Sequence, residues 1–235
     1  MESEALKKYR EKEAQRVSIN RRHLEQGVEF VDLQAAYIDE EVTIGAGTVI
    51  GPCVTLKGKT AIGENCVIGQ NSRIEDSIIG DGVTVQSSVI VESRVGNQTS
   101  VGPFAYLRPK SDVGEHCKVG DFVEIKNSVF GNGSKASHLT YIGDSDVGEN
   151  VNLGCGVVFV NYDGTNKFRS TVGDGAFIGC NSNLVSPVKV GDGAYVAAGS
   201  TVTEDVEGDA LYIARARGIK KQGWVSEKGI LKKKK

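Results

Sequence analysis

Residues 38–74 read IDEEVTIGAGTVIGPCVTLKGKTAIGENCVIGQNSRI, and every sixth residue of this stretch is Ile or Leu. We call these positions the column. With some five-residue steps and one break it contains Ile38, Ile44, Ile50, Leu56, Ile62, Ile68, Ile74, Ile79, Val85, Ile90, Val95, Val101, Leu107, Val113, Val119, Ile125, Phe130, Ala136, Ile142, Val147, Leu153, Phe159, Val172, Ile178, Leu184, Val190, Val196 and Val202. Helices repeat every 3.6 residues and long strands every 2.0, so a six-residue period indicates another structure.

A short strand followed by a tight glycine turn accounts for this period. The chain has 30 glycines in 235 residues, and the residue after the column is often glycine, as at Gly45, Gly51 and Gly63. Three such units close a triangular coil of about 18 residues, with the column pointing inward. The sequence therefore predicts an all-β parallel β-helix over residues 38–205. About nine coils at ~4.8 Å per coil give a length of roughly 45 Å.

The two ends of the chain lack the repeat. Residues 3–26 predict a helix that ends near Gly27 and caps the first coil. We expect its thin apolar face to consist of Leu6, Tyr9, Val17 and Leu24. The predicted organisation is a helical arm over 1–27, the β-helix over 28–205 and a mostly irregular tail over 206–235.

Charge and composition exclude several classes of protein. The net charge of −2 argues against a general nucleic-acid binder, and the basic run Lys232–Lys235 is expected to be a solvated terminus. Five cysteines without a C-x-x-C pair indicate reduced thiols rather than disulfides or a zinc site. The polar N-terminus and the absence of a long apolar run predict a cytoplasmic protein with no transmembrane segment.

Residues 160–171, VNYDGTNKFRST, interrupt the repeat. This composition predicts a loop extruded from one corner of the prism. A long loop on a regular scaffold is a common place for function. A tolerated insertion is the alternative.

Cations recur on one predicted face. Arg108 and Lys126 each follow a column residue and are 18 positions apart, so they should lie one coil apart. Tyr141 precedes a column residue one coil further on. Two cations and a phenol on one strip would suit a phosphate group. On spacing alone, an ordinary charged face is an equally good interpretation.

His138, in the segment KASHLTYIGD, is a candidate general base. Glu124 lies about one coil earlier, and a carboxylate there could fix the imidazole tautomer and raise its basicity. The chain has three histidines, and His23 falls in the helical arm. A three-histidine metal site is therefore not expected.

These motifs carry a family resemblance. The segments GPFAYLRP, GDFVEIKNS, KASHLTYIGD, NLGCGVVFVNYDG and FIGCNSNLVSPV resemble the acetyltransferase half of the bacterial bifunctional N-acetylglucosamine-1-phosphate uridyltransferase/glucosamine-1-phosphate acetyltransferases. The resemblance runs from about Arg21 to Arg217. It implies a left-handed β-helix, a homotrimer with active sites between subunits, and acetyl transfer from acetyl-CoA to the 2-amino group of glucosamine 1-phosphate. The product would be N-acetylglucosamine 1-phosphate, a precursor for cell-wall synthesis.

The resemblance also implies residue roles. His138 matches the general base, for which no metal is needed. The sugar-phosphate contacts match Arg108, Lys126, Tyr141, Asn152 and, in the loop, Lys167. The acetyl-CoA contacts match Cys155, Asn161, Tyr162, Cys180, Ala198 and Arg215. Cys155 and Cys180 stand where other members can carry Ala and Ser, a change that is harmless if these contacts run through the backbone.

One departure from the family and two alternatives remain. The family's N-terminal Gly-rich, Arg-containing phosphate loop has no counterpart in this sequence, so we expect no uridyltransferase activity from this chain. A related acyltransferase with another amino-sugar acceptor would have the same fold. A non-catalytic trimeric β-helix scaffold would bind no acetyl-CoA.

Overall fold

The computed structural model describes residues 2–229, so the basic run Lys232–Lys235 lies outside the described residues. The fold is a left-handed parallel β-helix of about ten turns, preceded by one long helix. Its three faces are parallel sheets of 11, 10 and 9 strands, which we call faces A, B and C. The predicted β-helix is confirmed, with about one turn more than the repeat suggested.

The strands follow the three faces in rotation. Face A contains β1 Glu29–Phe30, β4 Val49–Ile50, β7 Val67–Ile68, β10 Thr84–Val85, β13 Ser100–Val101, β16 Lys118–Asp121, β19 Lys135–His138, β22 Asn152–Leu153, β25 Phe177–Ile178, β28 Tyr195–Val196 and β30 Leu211–Tyr212. Face B contains β2 Tyr37–Ile38, β5 Thr55–Lys57, β8 Arg73–Glu75, β11 Val89–Val91, β14 Tyr106–Leu107, β17 Glu124–Lys126, β20 Tyr141–Gly143, β23 Val158–Val160, β26 Asn183–Val185 and β29 Thr201–Val202.

Face C completes each coil. It contains β3 Thr43–Ile44, β6 Ala61–Ile62, β9 Ile78–Ile79, β12 Arg94–Val95, β15 Asp112–Val113, β18 Val129–Phe130, β21 Ser145–Val147, β24 Ser170–Val172 and β27 Lys189–Val190. The chain therefore turns three corners per coil, which we call A/B, B/C and C/A after the faces they join.

The column forms the core. Each of its 28 members is at most 8 % exposed. Neighbouring coils pair in register, so that Ile125 lies between Leu107 below and Ile142 above. Burial of stacked branched side chains stabilises each coil only against its neighbours.

The five-residue steps of the column fall mostly at the B/C corner. The steps from Ile125 to Phe130 and from Ile142 to Val147 both cross it. A residue with positive φ makes the tight turn in each case, Asn127 at 47° and Asp144 at 50°. Asn and Asp tolerate this left-handed conformation better than most residues.

Buried hydroxyl groups satisfy the backbone at these turns. Ser128 Oγ donates to the carbonyl of Lys126 and accepts from the amide of Ser145 in the next coil, at 2.8 and 2.9 Å. At the C/A corner, Thr48 Oγ1 donates to the carbonyl of Gly63 and accepts from the amide of Cys66, both in the next coil. Such bonds remove the penalty of burying turn amides away from water.

Helix α1 spans Glu4–Glu25, close to its predicted range, and ends before Gly27, whose φ is 94°. The predicted apolar face is wrong. Leu6, Tyr9 and Leu24 are 44–57 % exposed and Val17 is half-buried, whereas Ile19, Asn20 and His23 are buried.

The contact between α1 and the first coil is short and largely polar. Asn20 Nδ2 donates to the carbonyls of Leu33 and Ala36, at 2.8 and 3.1 Å. Arg16 lies over the ring of Tyr37, with its guanidinium carbon 4.6 Å from the centroid. Only the C-terminal part of the helix contacts the first coil, so an apolar stripe along the whole helix does not predict the docked face.

The chain after Asp205 is less irregular than expected. Val206 forms a bridge with Val190, and strand β30 pairs with β28. This partial coil provides partners for backbone groups that would otherwise lie open at the sheet edge. A short helix, α2, follows at Trp224–Glu227. Neither helix within residues 2–229 has the length and apolar character needed to cross a bilayer.

His23 is an unusual part of the cap. It is 2 % exposed, and neither ring nitrogen has a hydrogen-bond partner. Burial lowers its pKa, the neighbouring Arg22 lowers it further, and Glu40 opposes the shift. A buried neutral imidazole is stable only while it stays neutral.

We predict that docking of α1 weakens as pH falls below about 6.5, the ordinary histidine pKa. In that range the unfolded state binds the proton more readily than the folded state. The free energy of unfolding therefore rises with pH, by at most about 1.4 kcal/mol per pH unit. Urea unfolding followed by far-UV circular dichroism between pH 5 and 8 measures it.

His23→Phe should flatten this pH dependence, because phenylalanine cannot become charged. The exposed His116 provides the matched control, since His116→Asn should leave the slope as in the wild type. An unchanged slope in His23→Phe would contradict the assignment.

Candidate active site

A strip of cations lies on face B. The register places Leu107 beside Ile125, so Arg108 and Lys126, which follow them, occupy successive coils. The predicted stacking is confirmed. Lys167 reaches the same place from the extruded loop, and its contact with Lys126 lowers the pKa of Lys167. Adjacent cations repel each other, and an anion placed between them would relieve this repulsion.

Asp144 is the centre of the polar contacts below this strip. Its carboxylate lies 3.1 Å from Lys126 Nζ and accepts from Asn127 Nδ2 at 2.6 Å and from Asn161 Nδ2 at 2.5 Å. Asn161 also lies 3.5 Å from the hydroxyl of Tyr141. These bonds fix the position of the lysine from below.

The carboxylate keeps its charge despite burial. Burial by itself would raise the pKa of Asp144, but the hydrogen bonds from Asn127 and Lys126 outweigh it and the pKa is lowered. Burial by itself would lower the pKa of Lys126, but the Asp144 carboxylate more than offsets this effect, so the pKa of Lys126 is raised. The pair is therefore ionised at neutral pH, with Lys167 next to it.

The extruded loop is a small ordered hairpin. Strand β23 ends at Val160 and β24 begins at Ser170, so the loop is narrower than the predicted 160–171. Tyr162 and Lys167 bridge its two arms. At its base, Arg169 binds Asp146, with Nε 2.6 Å from Oδ2. This anchoring holds Lys167 over face B.

His138 lies at the end of β19, next to the A/B corner. Its Nδ1 is 2.5 Å from Oδ1 of Asp121, the residue directly beside it in the preceding coil. The predicted contact with Glu124 is wrong. The coil is 17 residues long at this point, and Glu124, 14 positions before His138, has already passed the corner.

Glu124 has a different partner. Its Oε1 accepts from Arg108 Nη1 at 2.8 Å, and both side chains are 38 % exposed. This contact contributes most to raising the pKa of Arg108. Glu124 therefore orients the cation strip rather than the imidazole.

An apolar ridge runs along the A/B corner beside His138. Its members are Phe104, Phe122 and Leu139, which are 57–58 % exposed. The two phenylalanine rings stack with centroids 5.6 Å apart. Phe122 follows Asp121 and Leu139 follows His138, so the ridge adjoins the His–Asp pair directly.

The remaining sugar-contact candidates divide between two faces. Tyr141 lies on face B, and its hydroxyl passes close over Gly143, where a Cβ would meet it at 2.4 Å. Asn152 lies on face A, between Lys135 and Phe177. Within one chain, Asn152 therefore does not join the cation strip.

The acetyl-CoA candidates also form two groups. Cys155, Cys180 and Ala198 stack in successive coils just before the A/B corner. Cδ of Arg215 lies 3.9 Å from a Cβ built at Gly199, which places this residue at the end of the row. Asn161 and Tyr162 belong to the loop at the B/C corner. Asn161 is buried against Asp144 and is 7 % exposed.

Two residues of the site were missed from the sequence, Asp121 and Asp144. The signal for Asp121 was its position 17 residues before His138, once the local coil length is known. Asp144 stands at a turn position where Asp is common, so nothing distinguished it. No cluster of three or more His, Cys, Asp or Glu able to hold a metal occurs among residues 2–229.

Two family models and several known proteins are similar to this chain. Residues 33–108 match the model described as the GMPPB C-terminal domain, and residues 169–204 match the bacterial transferase hexapeptide (six repeats). The chain is 56 % identical over 216 residues to a "Bifunctional protein GlmU" of Clostridioides difficile and 61 % identical over 215 residues to that of Alkaliphilus oremlandii. It is a relative of the GlmU proteins.

This relationship covers 92 % of the chain and 47 % of each of these two GlmU proteins. The chain thus spans about half the length of the curated GlmU relatives that it matches. Among solved structures, a UDP-N-acetylglucosamine acyltransferase from Bacteroides fragilis has a TM-score of 0.48 at 18 % identity, covering 78 % of this chain and 70 % of that one.

We predict that Asp144→Ala destabilises the protein by roughly 1–3 kcal/mol, because the buried Asn161 and the half-buried Lys126 and Asn127 lose their acceptor. The effect should be present at neutral pH and disappear as pH falls through the lowered pKa of Asp144, where the wild-type carboxylate also becomes protonated. Urea denaturation at several pH values measures it.

Asp146→Ala is the matched control. Its ion pair with Arg169 is 40–46 % exposed, and such pairs contribute under about 1 kcal/mol. Equal losses in the two variants would contradict a special role of Asp144.

Proposed function

We propose that the chain transfers an acetyl group from acetyl-CoA to the 2-amino group of glucosamine 1-phosphate. The observation that carries this proposal is the His138–Asp121 pair, 2.5 Å apart, which presents an imidazole with its Nδ1 already engaged. The relationship to the GlmU proteins supports it.

The cation strip gives the sugar phosphate its position. Arg108 can bind phosphate oxygens in a bidentate manner, and Lys126 and Lys167 supply point charges beside it. The lowered pKa of Lys167 indicates excess positive charge there before any anion binds. A phosphate monoester therefore binds more strongly than an uncharged sugar.

The His–Asp pair removes the proton from the amine. Asp121 accepts the Nδ1 hydrogen, which leaves the Nε2 lone pair free to take a proton. As the amine nitrogen attacks the thioester carbonyl, its proton passes to Nε2 of His138. The C–S bond then breaks, an amide forms and the CoA thiolate leaves. General-base catalysis of this kind contributes roughly 10²–10⁴-fold.

Acetyl-CoA is placed along the A/B corner by this proposal. Cys155, Cys180 and Ala198 form a row there, and Arg215 at its end offers a cation for CoA phosphates. Asn161 and Tyr162 contribute from the loop at another corner. Acetyl-CoA would therefore contact both the A/B corner and the loop at the B/C corner, which are separate surfaces in a single chain.

We also propose that the active form is a homotrimer with its sites between subunits. The apolar ridge of Phe104, Phe122 and Leu139 adjoins His138 and is more than half exposed in the single chain. Exposed apolar surface of this kind marks contacts between proteins. A second chain covering the ridge would bring its own cation strip or loop toward His138.

We further propose a cytoplasmic location, because the five cysteines are free thiols.

We predict that purified protein forms N-acetylglucosamine 1-phosphate from acetyl-CoA and glucosamine 1-phosphate. His138→Ala should lower kcat roughly 10²–10⁴-fold. Asp121→Asn should lower kcat by about 10²-fold and change the pH profile, because an amide can hold the imidazole in the wrong tautomer. CoA release measured against pH provides both readouts.

His116→Asn, at an exposed corner away from the site, should retain wild-type activity. Near-normal kcat in His138→Ala would remove this residue from the mechanism. If the wild type binds no acetyl-CoA in a calorimetric titration, the non-catalytic scaffold is favoured instead.

The phosphate contact has its own test. Lys167→Ala should raise KM for glucosamine 1-phosphate with a smaller change in kcat, because the lost contact is present in both the ground and transition states. Lys189→Ala, a cation at another face, is the control. Equal turnover of unphosphorylated glucosamine by the wild type would favour an acyltransferase with a different acceptor.

A further inference from the structure

Two of the five free cysteines lie directly beside each other in successive coils. The register pairs Asn152 with Phe177 and Leu153 with Ile178, so two residues further on Cys155 lies beside Cys180. The amide of Asn181 donates to the carbonyl of Cys155 at 2.8 Å, which fixes this alignment on the far side as well.

The spacing of the coils suits a covalent bridge. Adjacent parallel strands lie about 4.7–4.9 Å apart, within the 4.4–6.8 Å range of Cα separations that disulfides span. The backbones approach closely at this point, since a Cβ built at Gly154 would lie 2.6 Å from the amide nitrogen of Cys180. Cys155 also has glycine on both sides, at 154 and 156, which lets its backbone adjust.

The five thiols differ in exposure, and this difference determines which of them can react first. Cys180 is exposed and Cys155 is half-buried. Cys66 and Cys117 are buried, and burial raises the pKa of both thiols, so they are protected from reaction. Cys53 is exposed, but its amide bonds to Ala35 of the preceding coil and it has no stacked thiol.

We propose that Cys155 and Cys180 form an oxidisable dithiol, a modification site that reacts with low-molecular-weight disulfides. The Cys180 thiolate attacks the disulfide RSSR, forming a mixed disulfide and releasing RS⁻. The Cys155 thiolate then attacks the sulfur of Cys180, the Cys155–Cys180 bond forms, and the second RS⁻ leaves. The protein loses two electrons and RSSR gains them, with the two thiol protons released to solvent or to the thiolates.

This bridge has a consequence for catalysis, which rests on the proposed function. The pair lies in the row assigned to acetyl-CoA, so a closed bridge would change the surface on which acetyl-CoA lies. Acetyl transfer would then stop under oxidising conditions and recover on reduction. Bound acetyl-CoA would protect the pair and leave Cys53 reactive.

The test is the stoichiometry of reaction with 5,5′-dithiobis(2-nitrobenzoate), itself a low-molecular-weight disulfide, on the folded full chain. A lone thiol releases one thionitrobenzoate and retains one, whereas a bridging pair releases two and retains none. Absorbance gives the released groups and intact-protein mass gives the retained ones. We expect the wild type to release three and retain one, the retained group being on Cys53.

Matched variants separate the thiols. Cys53→Ala should release two and retain none. Cys155→Ala should release two and retain two, and Cys180→Ser should do the same if Cys155 is accessible, or release one and retain one if it is not. A wild type that retains as many groups as it releases would overturn the proposal, and so would a disulfide-linked dimer on a non-reducing gel.

The effect of acetyl-CoA on the rate of bridging distinguishes failure of the dithiol proposal from failure of the proposed function. If the pair bridges with the expected stoichiometry and acetyl-CoA slows bridging at least several-fold, both stand. If the pair bridges but acetyl-CoA has no effect, the dithiol stands and the placement of acetyl-CoA fails. If acetyl transfer is normal but the pair never bridges, the proposed function stands and the dithiol is refuted.

Discussion

The hydrogen bonding between successive coils is the constraint on which the rest of the molecule depends. Each strand is only two to four residues long, too short to be stable alone, and each strand inside a face pairs with the strands directly above and below it. In-register pairing places like positions over one another along three continuous faces. A slip of one residue would turn every column side chain outward, so burial of the column holds the register in place.

The same register builds the candidate site. A β-helix face is a set of parallel rows, and any chemistry that recurs with the coil length becomes a row of neighbours. Arg108 and Lys126 form such a row, Asp121 and His138 form another, and Cys155 with Cys180 forms a third. Side chains held by a rigid ladder lose little further freedom when a substrate binds, which favours precise positioning.

The irregular parts of the chain contribute side chains that the regular coils do not place at the site. The loop over 161–169 brings Lys167 next to Lys126, which adds a third positive charge to the strip formed by Arg108 and Lys126. The buried carboxylate of Asp144 makes it tolerable by neutralising Lys126 and binding Asn161 at the base of the loop. Positive charge is thus concentrated at the surface while its counter-ion lies below, an arrangement suited to an anionic ligand.

The sequence by itself determined the fold, the buried column and the stacking of the cation strip, because a local six-residue period repeats in every coil and each coil contacts only its neighbours. It did not determine contacts that depend on the exact length of one coil. The partner of His138 is Asp121 rather than Glu124 because that coil has 17 residues. The docked face of α1 consists of Ile19, Asn20 and His23 rather than the predicted apolar stripe, and Asn20 binds carbonyls of the first coil. Asp144 became recognisable only when Lys126, Asn127 and Asn161 converged on it. Local periodicity is written in the sequence, whereas convergence from different coils and loops exists only in the folded chain.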